Sequence, residues 1–472
     1  MSFQAKIPTE TLCEIFHLLC DTQPILLHVL ENGSDGFPWV IGQVCRRWRA
    51  VFLSHPPLWT ILSLQAWECH FSPVYLAEME RRTAVYLKRS GQLSLSITAE
   101  LSERAEPEHF PITIWRMLLS CSNRWKWASL DVHLTDSATE DLLGCRGTFS
   151  RLEYLETKIQ SPEPPYHVFE IAPRLINLHL SDRGFGPGYI GKWKFPWAQL
   201  TKLKLDTEVA QGTNQLRAAL LQLKNVEELR LETLPMSAFI VEIDKHSPVF
   251  RLACLRRLDV SLDLAVTLYW FDTPLLEHLE LSGHLNFAHR SEPEISKEAI
   301  ASLIYRSSCH IRRLTLEDCR IEVVRVMLGV RALTASVEEL FIDHRASDGL
   351  SRVIRDINER IYLPKLHVLR LKCCFNEFMA ATPYLLEARG EELELVTSHD
   401  IAPLRRVTIQ FRSCRNPRCK DQGFANDCPF IKFTNTGDRD RDQPDSIQIE
   451  HRLGSRKPLI YDLAGRIVYE EP

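Results

Sequence analysis

The chain has 472 residues, and its 57 lysines and arginines against 61 aspartates and glutamates give a formal net charge of −4. This slight acidic excess argues against a nucleic-acid-binding protein, which usually carries a basic excess or stripe. No apolar run reaches 18 residues and the amino terminus lacks a signal-peptide core, so we expect no membrane span and no export. The 14 cysteines are therefore expected to be reduced thiols of a cytoplasmic or nuclear protein.

The first predicted element is a helix that opens at Ile7 and Pro8. Proline suits the first turn of a helix, where its missing N–H leaves no hydrogen bond unmade. Apolar residues then recur at the spacing of one helix face. These residues are Leu12, Ile15, Phe16 and Leu19.

A second helix is predicted to begin at Pro38 and to run through Trp48, after a glycine-rich turn. Val44 and Trp48 are four residues apart and would lie on the same side of that helix. Two prolines then interrupt the helical pattern and present Leu58 and Trp59. Three short helices in so few residues make a marginal core, so another surface is expected to cover part of them.

Three pieces of this segment resemble an F-box: Ile-Pro-x-Glu-x-Leu-x-x-Ile-Phe, then Val-Cys-Arg-Arg-Trp, then Pro-Leu-Trp. The resemblance implies that residues 1–65 bind a Skp-type adaptor protein, which connects them through a cullin to the ubiquitin-transfer machinery. The residues implied to form the F-box core and the adaptor contact are Ile7, Pro8, Leu12, Ile15, Phe16, Val44, Trp48, Leu58 and Trp59. If Trp59 anchors that contact, its replacement by alanine should weaken adaptor binding by roughly 2 kcal/mol or more, as for an aromatic hot spot. A helical hairpin that caps the next domain is the alternative.

Residues 66–126 are predicted to form a mainly helical connector. Mixed apolar and charged residues indicate a helix over 71–89, alternation predicts a strand over 93–97, and an apolar run predicts a helix over 115–121. This helix–strand–helix order resembles the connector of F-box proteins from mushroom-forming fungi.

Repetition dominates residues 127–412. The pattern L-x-x-L-x-L recurs at Leu175, Leu200, Val226, Leu255, Leu276, Ile311, Val337, Leu366 and Leu404. Successive copies are 21 to 38 residues apart, which brackets the length of leucine-rich repeats, and the alternation in each copy predicts a strand. The expected fold is therefore α/β: a short all-α segment followed by an irregular leucine-rich-repeat solenoid, or horseshoe. A mixed α/β sheet with coincidental leucines is the alternative.

Residues 413–472 are predicted to cap the end of the repeats with a polar face. Strand-like alternation occurs at 431–434, 447–450, 459–461 and 467–469.

Two stretches carry incomplete motifs, one for phosphate binding and one for zinc binding. The stretch from Gly186 to Lys192 matches both G-x-x-x-x-G-K and G-x-G-x-x-G, but Trp193 replaces the magnesium-binding Ser or Thr and Pro196 prevents a following helix. The three cysteines between 414 and 428 contain no Cys-x-x-Cys pair, which disfavours zinc and a RING-type ligase. No hydrolase motif occurs, so we expect no catalytic residue, cofactor or metal.

The polar positions of the predicted repeat strands form a candidate target-binding face. The residues predicted to form this face are Lys202, Lys204, Glu228, Arg230, Arg257, Glu280, Arg313, Phe341 and Arg370. Because basic and acidic side chains are balanced there, the face suits a folded protein or a peptide of patterned charge. The sequence thus predicts the substrate-recognition subunit of an SCF-type (Skp/cullin/F-box) ubiquitin ligase. A repeat scaffold with no link to a ligase is the alternative, and a solvated face without any ligand also fits the pattern.

Overall fold

The computed structural model divides into two compact units, Met1–Val226 and Glu227–Pro472. It describes residues 7–22, 41–66, 73–101, 110–161, 164–181, 190–207, 213–233, 248–283, 293–343, 349–358, 363–373, 406–411, 430–434, 447–449, 459–461 and 467–468.

Helices and strands alternate along both units. The α-helices are α1 (Thr9–Thr22), α2 (Ile41–Val44), α3 (Arg46–Ser54), α4 (Pro73–Arg89), α5 (Ile112–Leu119), α6 (Asp136–Leu143), α7 (Thr213–Leu220), α8 (Pro293–Ser307), α9 (Ile321–Leu328), α10 (Arg331–Thr334) and α11 (Leu350–Asn358). The strands of the first unit are β1 (Ile61–Ala66), β2 (Leu95–Leu101), β3 (Trp125–His133), β4 (Tyr154–Gln160), β5 (Asn177–Ser181) and β6 (Lys202–Thr207). Those of the second unit are β7 (Glu228–Thr233), β8 (Phe250–Arg251), β9 (Arg257–Ser261), β10 (Phe271–Asp272), β11 (His278–Ser282), β12 (Arg313–Glu317), β13 (Glu339–Asp343), β14 (Val368–Cys373), β15 (Arg406–Phe411), β16 (Phe430–Thr434), β17 (Ile447–Ile449), β18 (Leu459–Tyr461) and β19 (Ile467–Val468).

In the first unit, strands β1 to β6 pair in parallel and in chain order. Parallel neighbours need a crossover connection, and the helices and 3-10 turns between the strands supply it. Burial alternates along β2 and β4, and β4 buries every second side chain and leaves the others half-exposed. The buried side chains contribute to the core of the unit, and the polar side chains lie on the opposite side of the strands.

The second unit repeats this arrangement. Strands β7, β9, β11, β12, β13, β14 and β15 pair in parallel in that order, and β16 adds antiparallel to β15. Strands β8 and β10 form a separate parallel pair, and β17 to β19 form a small antiparallel sheet. The protein is therefore mixed α/β, with parallel β-structure in both units.

The recurring leucine pattern marks the strands correctly. In each copy from Leu175 to Leu366 the first apolar residue is buried just before a strand, and the other two are buried within it. Leu340 and Ile342 of β13 show the rule, with Val337 ahead of them. The last copy supplies β15, and Leu404 itself lies outside the described residues. The strands predicted near the carboxyl terminus are also confirmed, as β16 to β19.

Three local predictions need correction. The helix predicted through Trp48 is broken at Cys45, whose extended backbone separates α2 from α3 and whose sulfur accepts a hydrogen bond from the Trp48 N–H. The connector helix begins at Pro73 and the next strand at Leu95, a residue or two later than expected. In addition, β1 and β2 belong to the parallel strands of the first unit, although residues 61–66 and 95–101 precede the recognised repeats.

Candidate functional site

The helices of the N-terminal segment pack around a chain of aromatic rings. The ring of Phe16 in α1 meets the edges of Trp48 and Phe52, with centroids 5.2 and 6.3 Å away. Phe52 in turn lies 4.7 Å from Trp59, whose other side meets Tyr86 of α4 at 4.8 Å. These contacts bring α1, α3 and the 3-10 turn Pro56–Trp59 together on α4.

Four of the residues matched to the F-box pattern are sealed inside the protein. Leu12, Phe16, Leu58 and Trp59 are all buried. The Trp59 indole N–H donates to the Phe52 carbonyl oxygen at 3.1 Å, and the Arg89 guanidinium lies over its ring. The Trp59 ring is therefore part of the protein's own core, and its contact with an adaptor stays a prediction.

Other apolar side chains of the same segment face outward. Leu18 is 65% exposed, Val44 is 47% exposed and Leu19 is 40% exposed, and Pro8 is also exposed. We call these four residues the N-terminal apolar surface. The remaining matched residues, Ile7, Ile15 and Trp48, are half-buried. Sequence reasoning missed Leu18, because its position falls off the stripe that α1 turns toward the core.

Polar side chains tie neighbouring strands together on the exposed face of the first unit. His179 of β5 lies between two carboxylates, with its Nδ1 at 3.0 Å from Glu156 Oε1 and its Nε2 at 2.8 Å from Asp206 Oδ2. Burial opposes a charge on His179, but the hydrogen bonds that it donates to Asp206 and Glu156 outweigh burial and raise its pKa to about 9. The imidazole is thus a positive charge at neutral pH and unsuited to act as a general base.

An aromatic pair borders this network and was not predicted. The rings of Trp127 and Tyr154, adjacent on β3 and β4, stack with centroids 5.0 Å apart and planes 7° apart. Lys202, at the start of β6, is exposed, whereas Lys204 is half-buried and lies 3.5 Å from Asp206. Only strand register brings these positions side by side.

On the corresponding face of the second unit, carboxylates lie deep and arginines reach outward. Arg257, Arg313 and Arg370 are all exposed, whereas Glu280 and Asp259 are buried. The numbers of acidic and basic residues expected from the sequence therefore do not show that the carboxylates are more deeply buried than the arginines. Of the other predicted residues, Glu228, Arg230 and Phe341 are half-buried.

Ion pairs join the arginines to the carboxylates of adjacent strands. Arg257 donates to Glu280 Oε2 at 2.7 Å, and Arg230 Nε lies 3.0 Å from Asp259 Oδ2. Burial, and then the negative charge of Glu280, raises the pKa of Asp259 to about 7. The second unit thus keeps a carboxyl group that changes its charge near neutral pH.

The described ranges contain neither a candidate metal site nor a membrane-spanning helix. No group of three or more His, Cys, Asp or Glu side chains there is arranged to hold a metal ion. No helix in those ranges has the length and apolar character to cross a bilayer. In the glycine-rich stretch, residues 190–192 form a 3-10 turn. Residues 186–189 and the cysteines between 414 and 428 lie outside the described residues.

No protein-family model matches the chain, and no curated protein matches it.

Proposed function

We propose that this protein is the substrate-recognition subunit of an SCF-type ubiquitin ligase. Its N-terminal segment would bind a Skp-type adaptor, and through it a cullin, in the cytoplasm or the nucleus. One observation carries the proposal: residues that match the F-box pattern build an aromatic core around Phe16 and Trp59, while Leu18, Leu19 and Val44 of the same segment stay exposed. A contiguous exposed apolar patch marks a protein-binding surface, and these side chains are proposed to form one.

The repeated strands are proposed to form a leucine-rich-repeat solenoid that holds the target protein. In support, each copy from Leu175 to Leu366 buries its apolar residues, and within each unit the strands of these copies pair in parallel. The stacked Trp127 and Tyr154 rings offer aromatic contacts in the first unit, and the exposed arginines offer charged contacts in the second. Aromatic and arginine side chains commonly dominate binding energy at interfaces.

In this proposal the chain makes and breaks no covalent bond. Holding a target beside a transfer enzyme raises its effective concentration there, and that proximity is sufficient for the role. Adaptor and target are proposed to use separate surfaces of the chain, the N-terminal segment and the polar strand face.

The adaptor contact can be tested with the purified full-length chain and a purified Skp-type adaptor. We expect Val44→Asp and Leu19→Asp each to weaken binding by about tenfold or more, or about 1.4 kcal/mol, because each puts a charge into an apolar contact. Isothermal titration calorimetry measures the affinity, and thermal unfolding shows whether each variant is still folded.

Val74→Asp is the matched control, because Val74 is 79% exposed on α4 and lies outside the N-terminal apolar surface. We expect it to bind the adaptor as tightly as the wild type. Absence of binding by the wild-type chain would overturn the ligase proposal and favour a repeat scaffold without ligase linkage. The burial of Leu58 and Trp59 in the chain's own core favours this alternative, because buried side chains do not contact an adaptor.

A further inference from the structure

Oxygen-bearing side chains line the middle and the carboxyl ends of neighbouring strands in the second unit. In the register of the strands, Asp259 lies beside Glu280, and Ser282 lies beside Glu317, which in turn lies beside Asp343. We call these five residues the acidic cluster. Asp259, Glu280, Ser282 and Asp343 are buried, and Glu317 is half-buried.

The cations on these strands compensate only part of this charge. Arg257 pairs with Glu280 at 2.7 Å, Arg230 with Asp259 at 3.0 Å and Lys372 with Asp343 at 2.8 Å. Within the described part of the chain, the side chain of Glu317 has no ion pair. Burial raises the pKa of Glu317, and the negative charges of Glu280, Asp343 and Asp318 raise it further.

Two buried polar groups of the cluster also lack hydrogen-bond partners among the described residues. The hydroxyl of Ser282 has none, although the residue is only 9% exposed. Oδ1 of Asp259, a residue that is 2% exposed, accepts none either. Buried polar groups are nearly always hydrogen-bonded, so the unpaired hydroxyl of Ser282, beside the carboxylate of Glu317, points to a missing partner.

We propose that the acidic cluster binds a cationic side chain, lysine or arginine, of the target protein. The inference rests on the proposed role of this face in target recognition, and it specifies the chemical group of the target that the face binds. An ammonium or guanidinium group brings several N–H donors and a positive charge, which Glu317 and Ser282, neighbours in the strand register, can accept together. A metal ion is a poorer fit, because the described residues hold no three-ligand group arranged for one.

Binding of a cation is linked to the protonation of Asp259. The charged groups that act on this carboxyl are Glu280, Arg230, Glu232 and Arg257, and burial adds to the effect of the two acids. The positive charge of a cation bound in the acidic cluster favours the ionised form of Asp259 and lowers its pKa from about 7. The protein therefore releases protons on binding at pH 7, and affinity falls as the pH drops below 7.

The test uses the full-length chain and three octapeptides, in which lysine, arginine or glutamate alternates with glycine. Calorimetric titration at pH 7 in two buffers of different ionisation enthalpy gives both the affinity and the number of protons released. We expect the lysine or the arginine peptide to bind with proton release, and the tighter of the two identifies the preferred cation. The glutamate peptide should not bind.

Glu317→Gln should weaken binding of the basic peptide about tenfold, because it removes the uncompensated charge. Glu277→Gln is the control: it makes the same change of charge in the same unit, at an exposed residue just before β11 that pairs with Arg256. Ser282→Ala, which removes only a hydroxyl, tests the site again if Glu317→Gln unfolds.

The proposal is overturned if neither basic peptide binds, if the glutamate peptide binds equally well, or if Glu317→Gln and Glu277→Gln have the same affinity. Adaptor binding, measured on the same variants, should stay at the wild-type level. Loss of peptide binding alone would therefore overturn this inference without touching the adaptor contact, whereas loss of adaptor binding by the wild type would overturn the proposed function itself.

Discussion

The four rings of Phe16, Phe52, Trp59 and Tyr86 stabilise the N-terminal segment by burying a large apolar area in offset and edge contacts. Such contacts add to the free energy of burial when ring centroids are 4.5 to 7 Å apart, as they are here. Trp59 is the centre of this group, because it touches α3 on one side and α4 on the other. Its contribution is therefore to stability.

Replacement of Trp59 by alanine should destabilise the protein by about 3–5 kcal/mol, the usual cost of removing a large buried aromatic side chain. Denaturant unfolding of the full-length chain measures this loss. Trp59→Phe is the graded control, since it keeps a ring but loses the hydrogen bond to Phe52, and it should cost markedly less. A stable Trp59→Ala variant that fails to bind the adaptor would contradict the structural role.

At the scale of elements, polar side chains reinforce the parallel strands where alternation turns them away from the core. His179 connects three strands, because Glu156 lies on β4 and Asp206 on β6. Ser129 of β3 adds a hydrogen bond to the same Glu156 carboxylate at 3.1 Å. The network joins four consecutive strands by their exposed sides, in addition to the main-chain hydrogen bonds.

The His179 network should make stability depend on pH. Its folded pKa of about 9 exceeds the ordinary value of 6.5, so its contribution is complete below pH 6.5 and is lost as the pH rises through 9. We expect the wild type to exceed His179→Gln by on the order of 2–3 kcal/mol near pH 6 and by little above pH 9. Urea unfolding across this range measures the difference.

His167→Gln serves as the control, because the side chain of His167 is more than half exposed. It removes an imidazole but leaves the His179 network intact. A stability difference between wild type and His179→Gln that is independent of pH would show that the charge on His179 does not contribute. If the stability advantage of the wild type over His179→Gln grew with pH instead, the pKa of His179 would be lowered by folding, not raised.

At the scale of the first unit, the N-terminal segment is continuous with the strands that follow it. Trp59 packs on Tyr86, Arg89 donates to the Leu53 carbonyl oxygen at 2.7 Å, and β1 pairs along its length with β2. A piece that ends at residue 65 therefore loses one wall of its aromatic core and the partner of its strand.

We expect a fragment of residues 1–65 to remain largely unfolded, whereas residues 1–226 fold cooperatively. The short fragment cannot bury enough apolar area to offset its chain entropy. Circular dichroism and thermal unfolding of both fragments provide the measurement. A cooperative unfolding transition in the 65-residue fragment would show that the N-terminal segment is an independent domain.

The sequence by itself determined the strands of the repeats and the mixed α/β class. Both follow from local periodicity, since alternation of apolar residues within six positions decides which side of a strand is buried. Leu203 and Leu205 of β6 are buried for this reason, as the pattern predicted. Residues 61–66 and 95–101 escaped prediction as part of the same parallel strands, because their alternation is short and carries no copy of the leucine pattern.

Only the tertiary structure decided which matched residues are enclosed and which polar groups meet. The burial of Trp59 depends on Tyr86, which is 27 residues away, and a helical stripe cannot reveal that contact. The acidic cluster arises in the same way, because register aligns Ser282, Glu317 and Asp343 from strands far apart in the chain. Depth and alignment depend on packing between distant segments, which local residue patterns do not encode.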